Sequence, residues 1–188
     1  MRSFILFVLP ALVFGFIPHG NTSDVLLNAK SIQIAGKILF MRHTEAPGYG
    51  DPPGFEVRDC GTQRNLNNKG IQQAKKIGAL FKNSGLSFKK VFSSEWCRCI
   101  DTAKLLSMGE VEILPALNSF FQDWADREQT LRDLDMFFSD LKPDDLPILM
   151  VTHQVTIKAV TGHVVGNGGM VVYDPKTDRN WPFLLDRK

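Results

Sequence analysis

Short runs of branched and aromatic residues alternate along this chain with segments whose apolar positions recur every three to four residues. The runs read as strands over Lys37–Met41, Lys90–Ser93, Glu112–Leu114, Pro147–Thr152 and Met170–Tyr173. A first helix is predicted over 68–81, with Asn67 as N-cap and Ile71, Ala74, Ile77 and Phe81 on its inner face. A second follows Ser94 and is expected to bury Trp96, Ile100 and Ala103. Leu131, Leu134, Phe138 and Leu141 mark a third, stopped near Pro143, and a fourth begins just after His153 and runs from Val155 through Val165. Such alternation predicts an α/β fold: a single-domain three-layer sandwich with a mostly parallel central sheet and helices on both faces. The stretch Ala46–Asn65 breaks the pattern. Its four glycines and three prolines follow no period, so it reads as a long loop beside a site.

One apolar run stands apart. Met1-Arg2 is a basic start, and Phe4 to Phe16 is almost continuously apolar, broken by Pro10, with no charge until Asp24. A spanning helix needs about 20 apolar residues. The order and length fit a secretory signal, so residues 1–20 are read as a signal peptide and 21–188 as the mature domain, periplasmic or secreted. The cleavage site is weakly marked, and no stable membrane partner is expected unless the segment stays uncleaved. Overall, 22 Lys+Arg against 20 Asp+Glu is too balanced for a protein that neutralises nucleic-acid phosphates, and no nucleic-acid partner is expected. A hydrophobic content of 44% excludes a disordered chain, and three cysteines are too few to scaffold one.

Three predicted strands end in unusual chemistry. Lys37–Met41 runs into Arg42-His43-Thr44, Lys90–Phe92 into Ser93-Ser94-Glu95-Trp96-Cys97-Arg98, and Ile148–Val151 into Thr152-His153-Gln154. Ligands of open α/β sheets collect beyond the carboxyl ends of strands, so parallel neighbours would bring two arginines and two histidines together. Helices beginning after Ser94 and His153 would aim their positive ends at the same point. The guest this favours is a phosphoryl group, whose oxygens match arginine forks and whose phosphorus a histidine can attack. Alone, each residue has a plainer reading: an exposed Arg-His pair, an ion-pairing Arg98, a structural His153. His163 falls outside any motif and reads as structural. Gly166-Asn167-Gly168-Gly169 reads as a turn, since no Gly-Lys-Ser/Thr follows it.

Taken together, Arg42-His43-Thr44, the segment Ser93 to Ala103 with its Ser-Ser-(x)3-Arg-(x)3-Thr-Ala spacing, Asn65-Leu66-(x)3-Gly70-(x)2-Gln73-Ala74 and Val151-Thr152-His153 resemble the histidine phosphatase superfamily, the phosphoglycerate mutase-like fold. The resemblance covers residues 37–162, in the family's order. By size and apparent export it is closest in kind to small exported bacterial members, some of which act on phosphorylated sugars. It implies a metal-independent, cofactor-free phosphatase with a small phosphorylated substrate. His43 would be the nucleophile, Arg42 and Arg98 would hold the nonbridging oxygens, and His153 would donate to the transferring group. Thr44, Gln154 and Arg64 are further candidates for substrate contact, with Gln63 beside Arg64 at the loop's end. Glu45 would support the pocket. Neutral His43 needs an acceptor for its other ring proton, which the sequence does not identify.

Two departures bear on the substrate. The family's acid glutamate follows a Leu-Asn pair, but Leu117-Asn118 is followed here by Ser119, and Gln154 stands where one branch has an aspartate after the second histidine. Asp123, Asp126 or Glu128 could supply the missing proton. Otherwise the leaving group needs none, as in a phosphoramidate or anhydride, or the chain binds phosphate without turnover. A noncatalytic phosphate-binding module is therefore the alternative reading, and a phosphomutase a more distant one. Phe120, Phe121 and Trp124 are read first as core and second as a surface for a sugar. In an oxidising compartment Cys60 would bridge to Cys97 or to Cys99, since Cys97 and Cys99 point apart on a helix. Three cysteines without matching histidine spacing make no zinc site.

Overall fold

A computed structural model describes residues 34–141 and 146–185. The expected signal peptide and Pro143 lie outside the described residues. Strand β1 (Ile38–Arg42) buries Ile38 and Phe40 on one face and Leu39 and Met41 on the other. A strand without a polar face belongs inside a sheet covered on both sides. Here it pairs in parallel with β4 (Ile148–Thr152), which is equally apolar, and β4 pairs in parallel with β2 (Lys90–Ser93). Next to β2 runs β3 (Val111–Ile113), also parallel. On the far side of β1 lie β5 (Met170–Asp174) and β6 (Arg179–Phe183), each antiparallel to its inner neighbour. The order is β3-β2-β4-β1-β5-β6.

Helices cover both faces, as the alternation implied. On one side α1 (Asn68–Asn83) and α2 (Cys97–Leu106) lay Ile77, Phe81, Cys99, Ala103 and Leu106 onto Leu39, Met41, Leu149 and Val151. On the other, α3 (Arg127–Ser139) and α4 (Gln154–Thr161) contribute Leu134, Phe138 and Ile157 against Ile38, Phe40, Ile148 and Met150. Each fully buried side chain of this size contributes about 1.5–3 kcal/mol, so the two cores hold the layers. Gly78 lets α1 approach α2 closely, since a Cβ there would overlap the backbone of Leu106. Asn67 caps α1 as expected, its side chain accepting from the Gly70 amide at 2.8 Å.

Several boundaries differ from the sequence pattern for identifiable reasons. Strand β6 was not anticipated, because Pro182 and the polar Arg179-Asn180 obscure it; the proline is tolerated on an edge strand. Trp96 is buried but precedes α2 as its N-cap residue, and Ile100 is only half-buried. Ala103 is buried as expected, and with it Cys97, Arg98, Cys99, Thr102 and Leu106. Helix α4 stops at Thr161, because Gly162 takes a left-handed φ of 75° and closes the helix before Val165. His163 thus follows α4, and Leu141 follows α3. Residues 46–65 form the expected long loop, with one short 3-10 turn at Cys60–Thr62.

Candidate active site

The parallel trio β2, β4 and β1 places its carboxyl ends side by side. Arg42 is level with Thr152, and Ser93 with Val151. Backbone bonds extend the sheet one step further: the His43 amide donates to Thr152 O at 3.0 Å and the Ser94 amide to Val151 O at 3.1 Å. His43 and His153 consequently face each other, their ring centroids 5.6 Å apart. They open onto a cavity of about 340 Å³ bounded also by Arg42, Arg64, Arg98, Asp51, Ser119 and Gln154. A larger groove of about 630 Å³ between α1 and the β5–β6 edge contains none of these residues.

His43 is buried, and its Nδ1 lies 2.8 Å from the carbonyl oxygen of Thr44. A carbonyl only accepts, so Nδ1 carries the proton and Nε2 keeps its lone pair. Burial holds the imidazole neutral, and the charges of Arg98, Arg42 and Arg64 add to it, lowering its pKa to about 3. The acceptor missing from the sequence reading is therefore backbone.

His153 is fixed from its Nε2 side. Ser94 Oγ lies 2.9 Å from that nitrogen and accepts from the Trp96 amide at 3.4 Å, so the hydroxyl proton is available to Nε2. The Cys99 thiol approaches the same nitrogen at 3.5 Å. A ring whose Nε2 accepts from Ser94 carries its proton on Nδ1, the nitrogen without a partner among the described residues. Burial, then Arg98 and His43, hold the His153 pKa well below the usual histidine value.

Both arginines are anchored by hydrogen bonds and keep a donor unpartnered among the described residues. Arg42 donates through Nη1 to Val165 O at 3.0 Å. Arg98 forms a bidentate pair with Asp51, Nη1 to Oδ1 at 2.7 Å and Nη2 to Oδ2 at 3.1 Å, and a further Nη1 bond to Arg64 O at 3.2 Å. The Nε of each is buried without a hydrogen-bond partner among the described residues. Buried donors are normally satisfied, and an oxyanion in the adjoining cavity is the partner these would take. Three guanidiniums and one carboxylate line the cavity with two neutral imidazoles, a formal charge of about +2 suited to a phosphoryl dianion.

The remaining candidates divide. Gln154 lines the cavity at the start of α4, and Arg64 lines it while donating to Gly50 O at 2.7 Å and to Ala46 O. Thr44 does not reach it: its hydroxyl and amide both bond Thr102 Oγ1 at 3.1 Å, joining β1 to α2. Glu45 points away to Asn67 and Lys69. Gln63 is buried as a rivet, accepting from the Cys97 amide and donating to Glu56 O and Val57 O. Cys60 pairs with Cys97, their Cα atoms 5.7 Å apart, while Cys99 stays free and buried, its thiol pKa raised by burial to about 11.

None of the three carboxyls considered as acid bounds the cavity. Asp126 caps α3 by accepting from the Gln129 amide, Glu128 pairs with Arg132 on the exposed side of α3, and Asp123 is exposed. Ser119, in the family's glutamate position, does line it. The aromatic trio is not core either. Phe121 lies at the cavity beside exposed Tyr49, ring centroids 5.1 Å apart, whereas Trp124 packs on Phe55 and Phe120 under Arg127. The residue that sequence reasoning missed is Asp51. Nothing in Gly50-Asp51-Pro52-Pro53 marks it as the partner of an arginine 47 positions later.

Comparison with known proteins agrees with this geometry. Residues 38–135, just over half the chain and including β1, α1 and α2, match the family model for the histidine phosphatase superfamily (branch 1). No curated protein sequence matches the chain. Among solved structures, the protein histidine phosphatase SixA, complexed with tungstate, superposes with a TM-score of 0.55 at 13% identity, covering 79% of this chain and 94% of that one. The alpha-ribazole phosphatase of Shigella flexneri gives 0.53 at 18% identity, covering 80% and 96%. The mycobacterial glucosyl-3-phosphoglycerate phosphatase gives 0.54 at 13% identity, covering 79% and 97%. With the paired histidines, Arg42 at the end of β1, Arg98 at the start of α2 and the family match over residues 38–135, the chain belongs to the histidine phosphatase superfamily, branch 1.

Proposed function

We propose that this protein is a metal-independent phosphatase that works through a phosphohistidine on His43. The observation that carries the reading is the bond from His43 Nδ1 to Thr44 O, which leaves Nε2 unprotonated in a cavity of positive charge. In the first step the Nε2 lone pair attacks phosphorus while the bond from phosphorus to the leaving atom breaks, its electron pair departing with the leaving group. Arg42 and Arg98 hold the equatorial oxygens, and His153 donates its Nδ1 proton to the transferring group as charge spreads over it. In the second step water attacks phosphorus, Nε2 takes back its electron pair, and inorganic phosphate leaves.

The lining also argues about the substrate. Asp51 is the sole carboxyl among the described residues around the cavity. Burial opposes its ionisation, but hydrogen bonds and charge from Arg98 outweigh that and keep its pKa below the usual aspartate value. A carboxylic acid that protonates a departing alkoxide is thus not supplied by Asp123, Asp126, Glu128 or Asp51. We therefore assign the enzyme substrates whose leaving group departs with little help: phosphoramidates, acyl phosphates and anhydrides, before alkyl esters. The proposed site of action is periplasmic or extracellular, supported by the apolar start of the chain and by the Cys60–Cys97 disulfide.

Phosphate release from acetyl phosphate, phosphoramidate, pyrophosphate, glycerol phosphate and a sugar phosphate tests both parts. Wild type should turn over the first group at least about a hundredfold faster than the alkyl esters, with His43→Ala reducing every rate to background. Equal release by His43→Ala would refute the mechanism, and faster release from glycerol phosphate would refute the substrate class.

A further inference from the structure

The mechanism uses Arg98 but says nothing of what aims it. Arg98 projects from the first turn of α2 with its side chain 3% exposed, and a long flexible side chain at such a site needs a fixed partner. Its guanidinium has five N–H groups in one plane. The two on Nη1 go to Asp51 Oδ1 and Arg64 O, and one on Nη2 goes to Asp51 Oδ2. What is left is one Nη2 proton and the Nε proton, which lie parallel along the same edge. That edge is the other bidentate fork of an arginine, and its Nε is buried and unpartnered among the described residues.

The carboxylate is itself heavily held. Besides Arg98, Asp51 accepts from Trp96 Nε1 at 2.9 Å and from the Arg64 amide at 3.1 Å, and its side chain is 3% exposed. The Cys60–Cys97 bridge fastens the loop that carries it to the residue before Arg98, and Gln63 repeats the attachment through the Cys97 amide. An acceptor with four bonds from three residues is part of the frame; an incoming phosphate would strand all four donors by expelling it.

We propose that Asp51 is a positioning residue for phosphoryl binding, gripping the Nη1/Nη2 end of Arg98 so that its Nε/Nη2 edge is presented to the oxyanion. The inference rests on the phosphoryl-site reading above. It adds a residue from the long loop to the binding apparatus, and makes that loop a support for the phosphate and not just a wall for the leaving group.

The test is a double-variant cycle on the full chain with its disulfide intact, reading orthovanadate affinity by calorimetry and kcat and KM with acetyl phosphate. Asp51→Asn keeps the shape and one acceptor oxygen but removes the charge opposite Arg98, and Arg98→Gln keeps a donor for Asp51 but removes its counter-charge, so folding of each variant is checked first by its unfolding midpoint. Asp51→Asn should weaken vanadate binding about tenfold and lower kcat more than it raises KM. In the Arg98→Gln background the same change should alter binding less than about twofold, because the group it acts through is gone. An Arg98→Lys background gives the same comparison if the glutamine variant folds poorly. Independent, multiplying losses would overturn the proposal and leave Asp51 a purely structural residue. Tighter vanadate binding by Asp51→Asn would overturn it in the opposite sense, making the carboxylate a competitor for the site. If the wild-type protein binds no vanadate, the phosphoryl-site reading fails first, and that result is distinct from the other two.

Discussion

His43 and His153 are neutral for the same reason: each is buried beside arginines, so protonation would add a cation to a site already positive. Below pH about 6.5 an unfolded chain takes up protons on both, while folded His43 takes none until about pH 3. The unfolded state binds more protons across that window, so His43 makes stability rise with pH between about 3 and 6.5, and His153 acts in the same direction below about 6.5. Proton NMR of the free protein should show the His43 ring resonance flat from pH 5 to 8, alongside loss of stability toward the acid end. A titration of His43 near 6.5 would contradict the electrostatics described for the site. Arg42, His43 and His153 were legible in the sequence because they stand at the ends of β1 and β4, which the sheet itself positions, and Arg98 because it sits in the first turn of the helix that follows β2. Asp51 was not legible, since its place depends on Trp96, Arg64 and Arg98, all contacts that no local pattern encodes. The acid candidates failed for a related reason. Gln122 and Asp123 take positive φ values of 60° and 59°, and that turn is not written in their types.

Among the elements, the loop 46–65 and α2 act as one body. The disulfide closes a separation of 37 residues, and in the chain-entropy account a loop of that size contributes about 4 kcal/mol to folding. Denatured but unreduced protein should label one thiol per chain, Cys99, and native protein none, since that thiol is buried and its pKa lies at about 11. Reduction should lower the unfolding midpoint substantially; three labelled thiols before reduction would remove the bridge. Sequence reasoning named Cys60 and left Cys97 and Cys99 open, because both lie on the first turn of one helix. The structure separates them by burial: Cys99 faces β4 and His153, and Cys97 faces the loop. The strands and helices themselves were largely legible, as continuous apolar runs mark β1 and β4 and a period of 3.6 survives in α1 and α3. Edge strand β6 escaped because Arg179, Asn180 and Pro182 interrupt the apolar run, although Trp181 and Phe183 pack on the core.

For the molecule as a whole, a formal charge of +2 hides a strong local field: three guanidiniums against one carboxylate around one cavity at the sheet's carboxyl edge. Neutral nucleophile, positive walls and the absence of a carboxylic acid along the described lining fit a reaction in which phosphorus, not a proton, is what moves. The decisive measurement is capture of the phosphorylated protein. Wild type mixed with acetyl phosphate and quenched in alkali should carry phosphate that is lost on acidification and maps to the peptide containing His43, with none on His43→Ala. Phosphate retained in acid, mapped to another residue, or equally present on the His43→Ala protein would contradict the account.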